Sequence, residues 1–384
     1  MYSIAGYQEM VDDLVRMNAY AAALRQAVRP GSVVVDIGAG TGILSLLACR
    51  FGAARVYALE PDDCINVARE NAESNGLADK IEWIQDLSTN VRLPEKADVV
   101  VSDLRGVLPL FGKHIPAIIH ARRNLLAESG RLIPERDVLW MALVELRDQG
   151  SEGESKTGPW DPAQFGLQLE AGHKYIANSP RKARARPEQL LTAPASCGAL
   201  DYRTIESASF AGQVSVPVTR DGGATGVVVW FDAHLQGDVG FSNAPDQPRL
   251  IYGSMYFPLS EVVEVSAGDQ ATLHLRATPT DTDYIWQWDT GIRSGGAPKP
   301  KADLHQSSFF AGPISAARLR KRADRFVPTL NLQGLIDGQI LEGLRQGKPL
   351  GDIARGLAAE YPQKFATWES ALAHVGDLAE RYSE

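Results

Sequence analysis

Val33-Val34-Val35-Asp36-Ile37-Gly38-Ala39-Gly40-Thr41-Gly42 constrains this chain more than any other segment. It is a β-branched apolar run, an acid, three glycines at alternate positions, and then the apolar stretch Ile43–Phe51. A short apolar run bounded by glycine marks a buried parallel strand, and the stretch after the turn reads as a helix. Glycines let the backbone turn tightly and approach a ligand with no side chain in the way. Dinucleotide and phosphate sites share such turns, so the glycines alone do not name a ligand. Two carboxylates narrow the choice. Asp36, just before the turn, would repel a pyrophosphate but would pair with the ammonium of an amino acid. Glu60 closes the next apolar run, Val56–Leu59, where an acid accepts hydrogen bonds from ribose hydroxyls. Strand, acid, glycines, strand and acid in that order predict a site for an adenosyl group bearing an α-amino acid, S-adenosylmethionine (SAM). Its binding residues would be Asp36, Gly38, Gly40, Gly42 and Glu60. The competing reading is a tight packing turn with a solvent-facing Glu60.

The alternation extends on both sides. Residues 8–27 carry Met10, Val11, Leu14, Met17, Ala21 and Leu24 at helical spacing, and Pro30-Gly31 ends the run. Asp62–Asn75 predicts a helix, Ile81–Ile84 and Ala97–Ser102 predict strands, and Ile115–Leu126 predicts a helix stopped by Ser129-Gly130. The alternation is that of an α/β doubly wound, Rossmann-like domain over residues 1–135, which the SAM expected at its glycine turn would make a class I methyltransferase domain. Beyond Pro134 short strand-like runs and turns take over, at Val138–Leu146, Val214–Val218, Gly226–Leu235, Gln270–Ala277 and Tyr284–Trp288. Asp221-Gly222-Gly223 reads as a hairpin turn. A β domain is expected over 136–295, interrupted by a polar arm at about 150–200. A Gly/Pro/Lys linker and a basic helix, Ala316–Arg325, lead to a small helical domain over 326–384, with helices at Asp337–Leu344, Leu350–Tyr361 and Trp368–Tyr382.

Length and composition set limits. A chain of 384 residues suggests two or three domains. The net charge of −8 argues against a nucleic-acid partner, and the basic run Arg181–Arg186 reads as a solvated loop. No apolar run has the length of a membrane span, and the first residues lack the charged and apolar blocks of a signal peptide. Cys49, Cys64 and Cys197 are spaced neither for a metal nor for a disulfide framework. No metal is expected, and a reducing cytoplasm is the expected location.

Asp-Ile-Gly-Ala-Gly-Thr-Gly-Ile-Leu, starting at Asp36, resembles the cofactor loop of the protein arginine methyltransferase family. Tyr7–Tyr20 is similar to the family's N-terminal helix, keeping Met10, Asp13, Arg16 and Tyr20, with Tyr7 in place of a histidine. The resemblance implies that Arg16 binds the SAM carboxylate as a bidentate partner, that Met10 lies near the sulfonium, and that Leu87 and Ser88 contact the adenine. Gly130–Arg136 looks like the family's crossing into a β-barrel, and Gly240–Pro248 is similar to its G-F-S-T-x-P-x-x-P stretch. Residues 155–200 would correspond to its dimerisation arm, which implies a homodimer. The likeness covers roughly residues 4–290.

The family's acceptor chemistry is where this sequence departs. Two glutamates on one loop hold the substrate guanidinium in the family. Here that loop is Ser102–Gly112, with Asp103 at the first position and Gly112 at the second. The family's T-H-W motif aligns with Leu250-Ile251-Tyr252, so its histidine is missing. A buried guanidinium needs paired carboxylates, and one Asp beside Arg105 is a weaker site. Asp103 is the candidate to orient or deprotonate a different nucleophile, an amine, imidazole or hydroxyl, although an Asp that merely caps the following turn fits almost as well. His114 and His120 lie near this loop. His114 reads as exposed in a first helical turn rather than as a base, while His234 and His274 read as structural.

The expected activity is SAM-dependent methylation of a nitrogen or oxygen nucleophile on a peptide or small molecule. Two alternatives stand beside it. One is arginine methylation through a rearranged acid pair, with Glu145 or Asp283 replacing the missing glutamate. The other is a non-catalytic scaffold that binds SAM or a peptide. The run Ile340–Tyr361 looks weakly like PqqD-type, winged-helix-like peptide-binding domains, which would imply a leader peptide as partner; a purely structural addition is the plainer reading.

Overall fold

The computed structural model describes residues 3–146, 167 and 170–383. The chain forms two compact units, residues 1–313 and 314–384.

The first unit begins with α1 (Ile4–Asp12) and α2 (Leu14–Ala27). The single helix expected over 8–27 is broken at Asp13. The Asp13 carboxylate caps α2 by accepting from the Arg16 amide at 3.2 Å, and its other oxygen accepts from the Ile251 amide at 2.8 Å. An N-cap acid satisfies a helix donor that has no intrahelical partner. The alternation then runs β1 (Val33–Ile37), α3 (Ile43–Arg50), β2 (Arg55–Leu59), α4 (Ile65–Ser74), β3 (Ile81–Ile84), β4 (Ala97–Ser102), α5 (His114–Asn124) and β5 (Leu126–Ile133). The five strands are parallel, in the order β3-β2-β1-β4-β5. Ser129-Gly130 lies inside β5 and does not stop α5, which ends at Asn124. Val34, Val35, Val56, Tyr57, Val99 and Val101 are buried between the helical layers, as a two-sided parallel sheet requires. Register places Ile37 opposite Leu59 and Ser102, so the carboxyl ends of β1, β2 and β4 are level. Open α/β sheets bind ligands at that edge.

The β domain follows directly. It contains β6 (Arg136–Val144), α6 (His173–Ile176), β7 (Arg181–Ala183), β8 (Ala195–Asp201), β9 (Phe210–Pro217), β10 (Gly222–Gln236), β11 (Val239–Ser242), β12 (Ser254–Val265), β13 (Gln270–Pro279), β14 (Tyr284–Arg293) and β15 (Ala302–Ser307). One antiparallel sheet runs β7-β12-β10-β6-β8, with β11 on β10, and the other runs β15-β14-β13-β9. Four expectations change here. Gly222 and Gly223 pair with Val265 and Glu264 inside β10, so 221–223 is not a hairpin turn. The basic run is no loop at its start, because Arg181–Ala183 is a strand on β12. The expected arm at 150–200 lies partly outside the described residues, and its last part belongs to the sheet through β7 and β8. The expected linker contains the strand β15. Helix α2 packs against α3 and β5 on one side and against β10 and β11 on the other, fixing the β domain to the sheet edge.

The second unit contains α7 (Ala316–Lys321), α8 (Leu332–Arg345), α9 (Leu350–Glu360) and α10 (Trp368–Tyr382). Ile336 and Ile340 of α8, Ile353, Ala354 and Leu357 of α9, and Ala371, Val375 and Leu378 of α10 form its own core with Phe365. Asn331 and Thr367 cap α8 and α10. No strand occurs among the described residues of this unit.

Candidate active site

The glycine turn adopts a conformation that side chains resist. Gly38, Gly40 and Gly42 have φ of +74°, +55° and +87°. The approaches are equally close. A Cβ on Gly38 would lie 2.3 Å from Leu104 Cδ2, and one on Gly40 would lie 2.7 Å from the Tyr7 ring. Leu104 follows Asp103, so the acid loop touches the glycine turn. Tyr7, on α1, covers the turn from the other side, and its hydroxyl lies 3.3 Å from Cys64 Sγ.

The two carboxylates flank this turn. Asp36 is fully buried; its Oδ2 accepts from Ser45 Oγ at 2.7 Å, while Oδ1 has no hydrogen-bond partner. Burial pushes its carboxyl up to about 7 against the opposing Ser45 bonds, with Glu60 and Asp103 adding to the rise. Glu60 accepts from the Gly40 amide at 2.9 Å and the Asp62 amide at 3.0 Å. Burial raises its carboxyl, and those two amides partly offset the rise.

A second cluster adjoins the first. The Asp103 side chain, 10% exposed, meets Arg16 Nε at 3.2 Å and Arg105 Nη1 at 3.1 Å. The Tyr252 hydroxyl reaches its two oxygens at 2.8 and 2.7 Å. Burial works to raise this carboxyl, but Arg16 and Arg105 outweigh it and hold it below the usual range. Arg105 goes on to Asp137, donating Nε to Oδ2 at 2.8 Å and Nη2 to Oδ1 at 2.9 Å. Its Nη1 also donates to the Tyr20 hydroxyl at 2.6 Å, and its guanidinium lies 5.5 and 5.8 Å from the Phe231 and Phe241 ring centres. Tyr202 donates to Asp137 at 2.6 Å and lies 3.0 Å from His114 Nε2. His114 is fully buried, not exposed as expected. Burial, reinforced by Arg105, pushes it down to about 3.

The expected cofactor residues therefore gather at one sheet edge in part. Asp36, Glu60 and the glycines do so directly, and Arg16 joins them through Asp103 and its loop. Met10 is half-buried on α1. Ser88 is buried and Leu87 is exposed in a turn whose Asp86 accepts from the Leu87 amide at 2.6 Å. The proposed substitutes for the second acid lie elsewhere in the hydrogen-bond map: Glu145 binds Arg220 at 2.9 Å, and the Asp283 amide closes a turn with Thr280. Asp137, Tyr202 and Tyr20 were not expected as site residues. Asp137 could have been found, because it is in phase with buried Leu139, Met141 and Leu143 along β6.

Residues 20–133 match the family described as ribosomal protein L11 methyltransferase (PrmA), and residues 136–291 match the arginine methyltransferase oligomerization subdomain. Protein arginine N-methyltransferase PRMT10 of Oryza sativa subsp. japonica is 30% identical over 301 residues, 70% of this chain and 79% of the relative. The chain belongs to the protein arginine methyltransferase family. Protein arginine N-methyltransferase 1 of Schizosaccharomyces pombe is 29% identical over 286 residues, 72% of this chain and 83% of the relative. Among solved structures, Arabidopsis thaliana protein arginine methyltransferase 10 superposes with a TM-score of 0.69 at 21% identity, covering 79% of this chain and 97% of that one. The Trypanosoma brucei PRMT1 enzyme-prozyme heterotetrameric complex with AdoHcy gives 0.68 at 21%, covering 78% and 96%. Family membership makes this chain a SAM-dependent methyltransferase, built as a Rossmann-like domain followed by a β-barrel domain. In this chain the Asp103 carboxylate is engaged by three side chains of the chain itself, Arg16, Arg105 and Tyr252.

Among the described residues no helix is long and apolar enough to cross a membrane, and no group of three acidic, His or Cys side chains is placed to hold a metal.

Proposed function

We propose that this chain transfers the methyl group of SAM to a nitrogen or oxygen nucleophile other than an arginine guanidinium, on a peptide or small molecule. One observation supports the cofactor assignment above the rest. Asp36 Oδ1 is buried and lacks a hydrogen-bond partner. Buried polar atoms without partners are rare in folded proteins. An open buried acceptor before the glycine turn fits the ammonium of an α-amino acid, and Arg16, ion-paired with Asp103 at 3.2 Å, is the expected cation for its carboxylate. Glu60 keeps lone pairs for ribose hydroxyls. The site residues fit the cofactor, with Met10, Leu87 and Ser88 as the outer contacts.

When bound, SAM supplies an electrophilic methyl on a sulfonium. The protein's part is to align the acceptor for in-line displacement and exclude water. Asp36, Glu60, the glycine turn and Arg16 would hold the cofactor, and an acceptor aligned opposite its sulfur would take the methyl and give up its proton to solvent. Asp103 stays ionised and is a weak base. Its contribution is to orient Arg16 and, through its exposed edge, the acceptor.

The acceptor assignment rests on Asp103 and Asp137 already sharing Arg105. The alternative favoured by the relatives is arginine methylation, with Arg105 displaced and those two acids clamping the substrate. Incubation with methyl-labelled SAM and paired arginine, lysine, histidine and serine peptides separates the two. Label on arginine peptides alone would replace the first reading with the second. SAM binding without turnover on any acceptor would favour the scaffold. Failure of calorimetry to detect SAM or S-adenosylhomocysteine, with Asp36→Ala as control, would remove both enzymatic readings.

The match of 136–291 to an oligomerization subdomain supports a homodimer, which sedimentation velocity would test. Three buried thiols without disulfides suit a reducing cytoplasm. The α8–α10 unit is the candidate for holding a peptide substrate, tested by deleting it and comparing KM for peptide and for a free small acceptor.

A further inference from the structure

We infer that Arg105 is a specificity-determining residue: its guanidinium fills a two-carboxylate cage and thereby shuts guanidinium acceptors out of the site. This rests on the reading of the chain as a methyltransferase. Four observations carry it.

The cage is complete. Asp137 takes Nε and Nη2, while Asp103 and the Tyr20 hydroxyl take Nη1. Phe231 and Phe241 add two aromatic faces. Planar fork recognition by carboxylate, with aromatic stacking, is what a guanidinium selects and what an ammonium matches poorly. The occupant is also secure, since the Arg105 and Asp137 side chains have no exposure at all. Next, the cage borders the cofactor turn: Leu104, between Asp103 and Arg105, lies against Gly38. Finally, charge is balanced. Arg16 and Arg105 face Asp103 and Asp137, with Tyr252, Tyr202 and neutral His114 completing the shell. A second guanidinium would add an unpaired buried charge, which is strongly unfavourable.

Emptying the cage should therefore create a guanidinium site. The experiment uses the full chain and reads thermal midpoints, so it is independent of methyl transfer. Arg105→Ala should have a lowered midpoint. Methylguanidinium and N-acetyl-arginine amide should each raise it by roughly 2–4 °C per tenfold excess over the dissociation constant. Methylammonium and N-acetyl-lysine amide at equal ionic strength should do much less. The wild type should respond to none of them. Rescue by methylguanidinium but not by N-acetyl-arginine amide would mean a sealed ion pair with no path from the acceptor side, and would overturn the inference. Absence of any guanidinium effect would overturn it as well. If Arg105→Ala does not fold, two arms still decide. Refolding yield should rise with methylguanidinium over methylammonium, and a wild-type midpoint shift with N-acetyl-arginine amide would show that the cage is not what excludes it. Loss of SAM turnover with these binding results intact would remove the methyltransferase reading and leave the cage standing.

Discussion

Arg105 grips Asp137 with both arms of its fork, at 2.8 and 2.9 Å, and so ties the loop after β4 to the first strand of the β domain. Such a pair adds little stability over a well-packed apolar substitute, but removing one partner strands the other and costs about 3–5 kcal/mol. Asp137→Asn keeps the shape and removes the charge, so urea unfolding should show a loss in that range. Tyr202→Phe, which removes only a hydroxyl from the same oxygen, should cost about 1–3 kcal/mol because the acceptor stays buried. A loss under about 1 kcal/mol for Asp137→Asn would place the pair among solvent-screened ones and undo the cage.

Cofactor binding should release a proton. Asp36 is held up to about 7 while its open oxygen faces no cation. An ammonium favours the carboxylate, so binding below pH 7 must drive the proton off. Affinity should climb with pH towards 7, by up to about tenfold per unit, and level off above it. Calorimetry of S-adenosylhomocysteine at pH 6, in buffers of different ionisation enthalpy, should report close to one proton released, and almost none at pH 8.5. Asp36→Asn should abolish the difference. A release of zero at pH 6 in the wild type would show that the ligand's ammonium is not on Asp36.

Stability should carry two opposing pH signatures. His114 falls from an ordinary 6.5 to about 3 in the folded protein. Its contribution is full above 6.5 and is lost as pH falls towards 3, at up to about 1.4 kcal/mol per unit. Asp36 rises from 3.8 to about 7, so its contribution is full below 3.8 and is lost as pH rises through 7. Between 3.8 and 6.5 the two slopes oppose, and the total can look flat. The informative quantity is the difference between wild type and His114→Gln in denaturant unfolding. The wild-type advantage should shrink as pH drops from 7 to 4. A difference independent of pH over that span would mean His114 is not kept neutral by burial.

The parallel core was legible because its signals are local. Val33–Ile37, Arg55–Leu59 and Ala97–Ser102 are apolar runs with acids or glycines at their ends, and the strands lie where those runs do. The charge network was not. Its partners are separated by 32 positions for Arg105 and Asp137, 65 for Asp137 and Tyr202, and 149 for Asp103 and Tyr252. Asp103 stood out by its place after β4, but Arg105, Asp137, Tyr202 and Tyr252, taken alone, look like ordinary polar groups. Period-two phase with Leu139 and Met141 was the one local hint for Asp137. Strand ends misled in the other direction. Gly222-Gly223 carries turn chemistry, yet β10 needs small residues there, because a Cβ on Gly222 would meet Leu191 at 2.8 Å and one on Gly223 would meet Val262 at 3.0 Å.

Tyr7 and Gly40 should behave as a coupled pair. Gly40 is buried at φ +55°, and its α-carbon lies under the Tyr7 ring. Gly40→Ala therefore pays twice, once for a left-handed alanine at about 1–2 kcal/mol and once for the collision. In a Tyr7→Ala background only the backbone part should remain, so the double-mutant cycle should show a coupling of about 0.5–3 kcal/mol. Unfolding gives the stability cycle, and S-adenosylhomocysteine titration gives the matching binding cycle. The two need not agree. Helix α1 buries none of its own side chains fully, and its Tyr7 ring lies against the turn at Gly40. A ligand lying along the glycines must displace that ring or pack against it. Displacement predicts that Tyr7→Ala tightens binding, whereas packing predicts that it weakens binding while Tyr7→Phe does not. Equal affinity in all three proteins would mean that α1 takes no part in holding the cofactor, and Met10, carried on the same helix, would then lose its assigned place near the sulfonium.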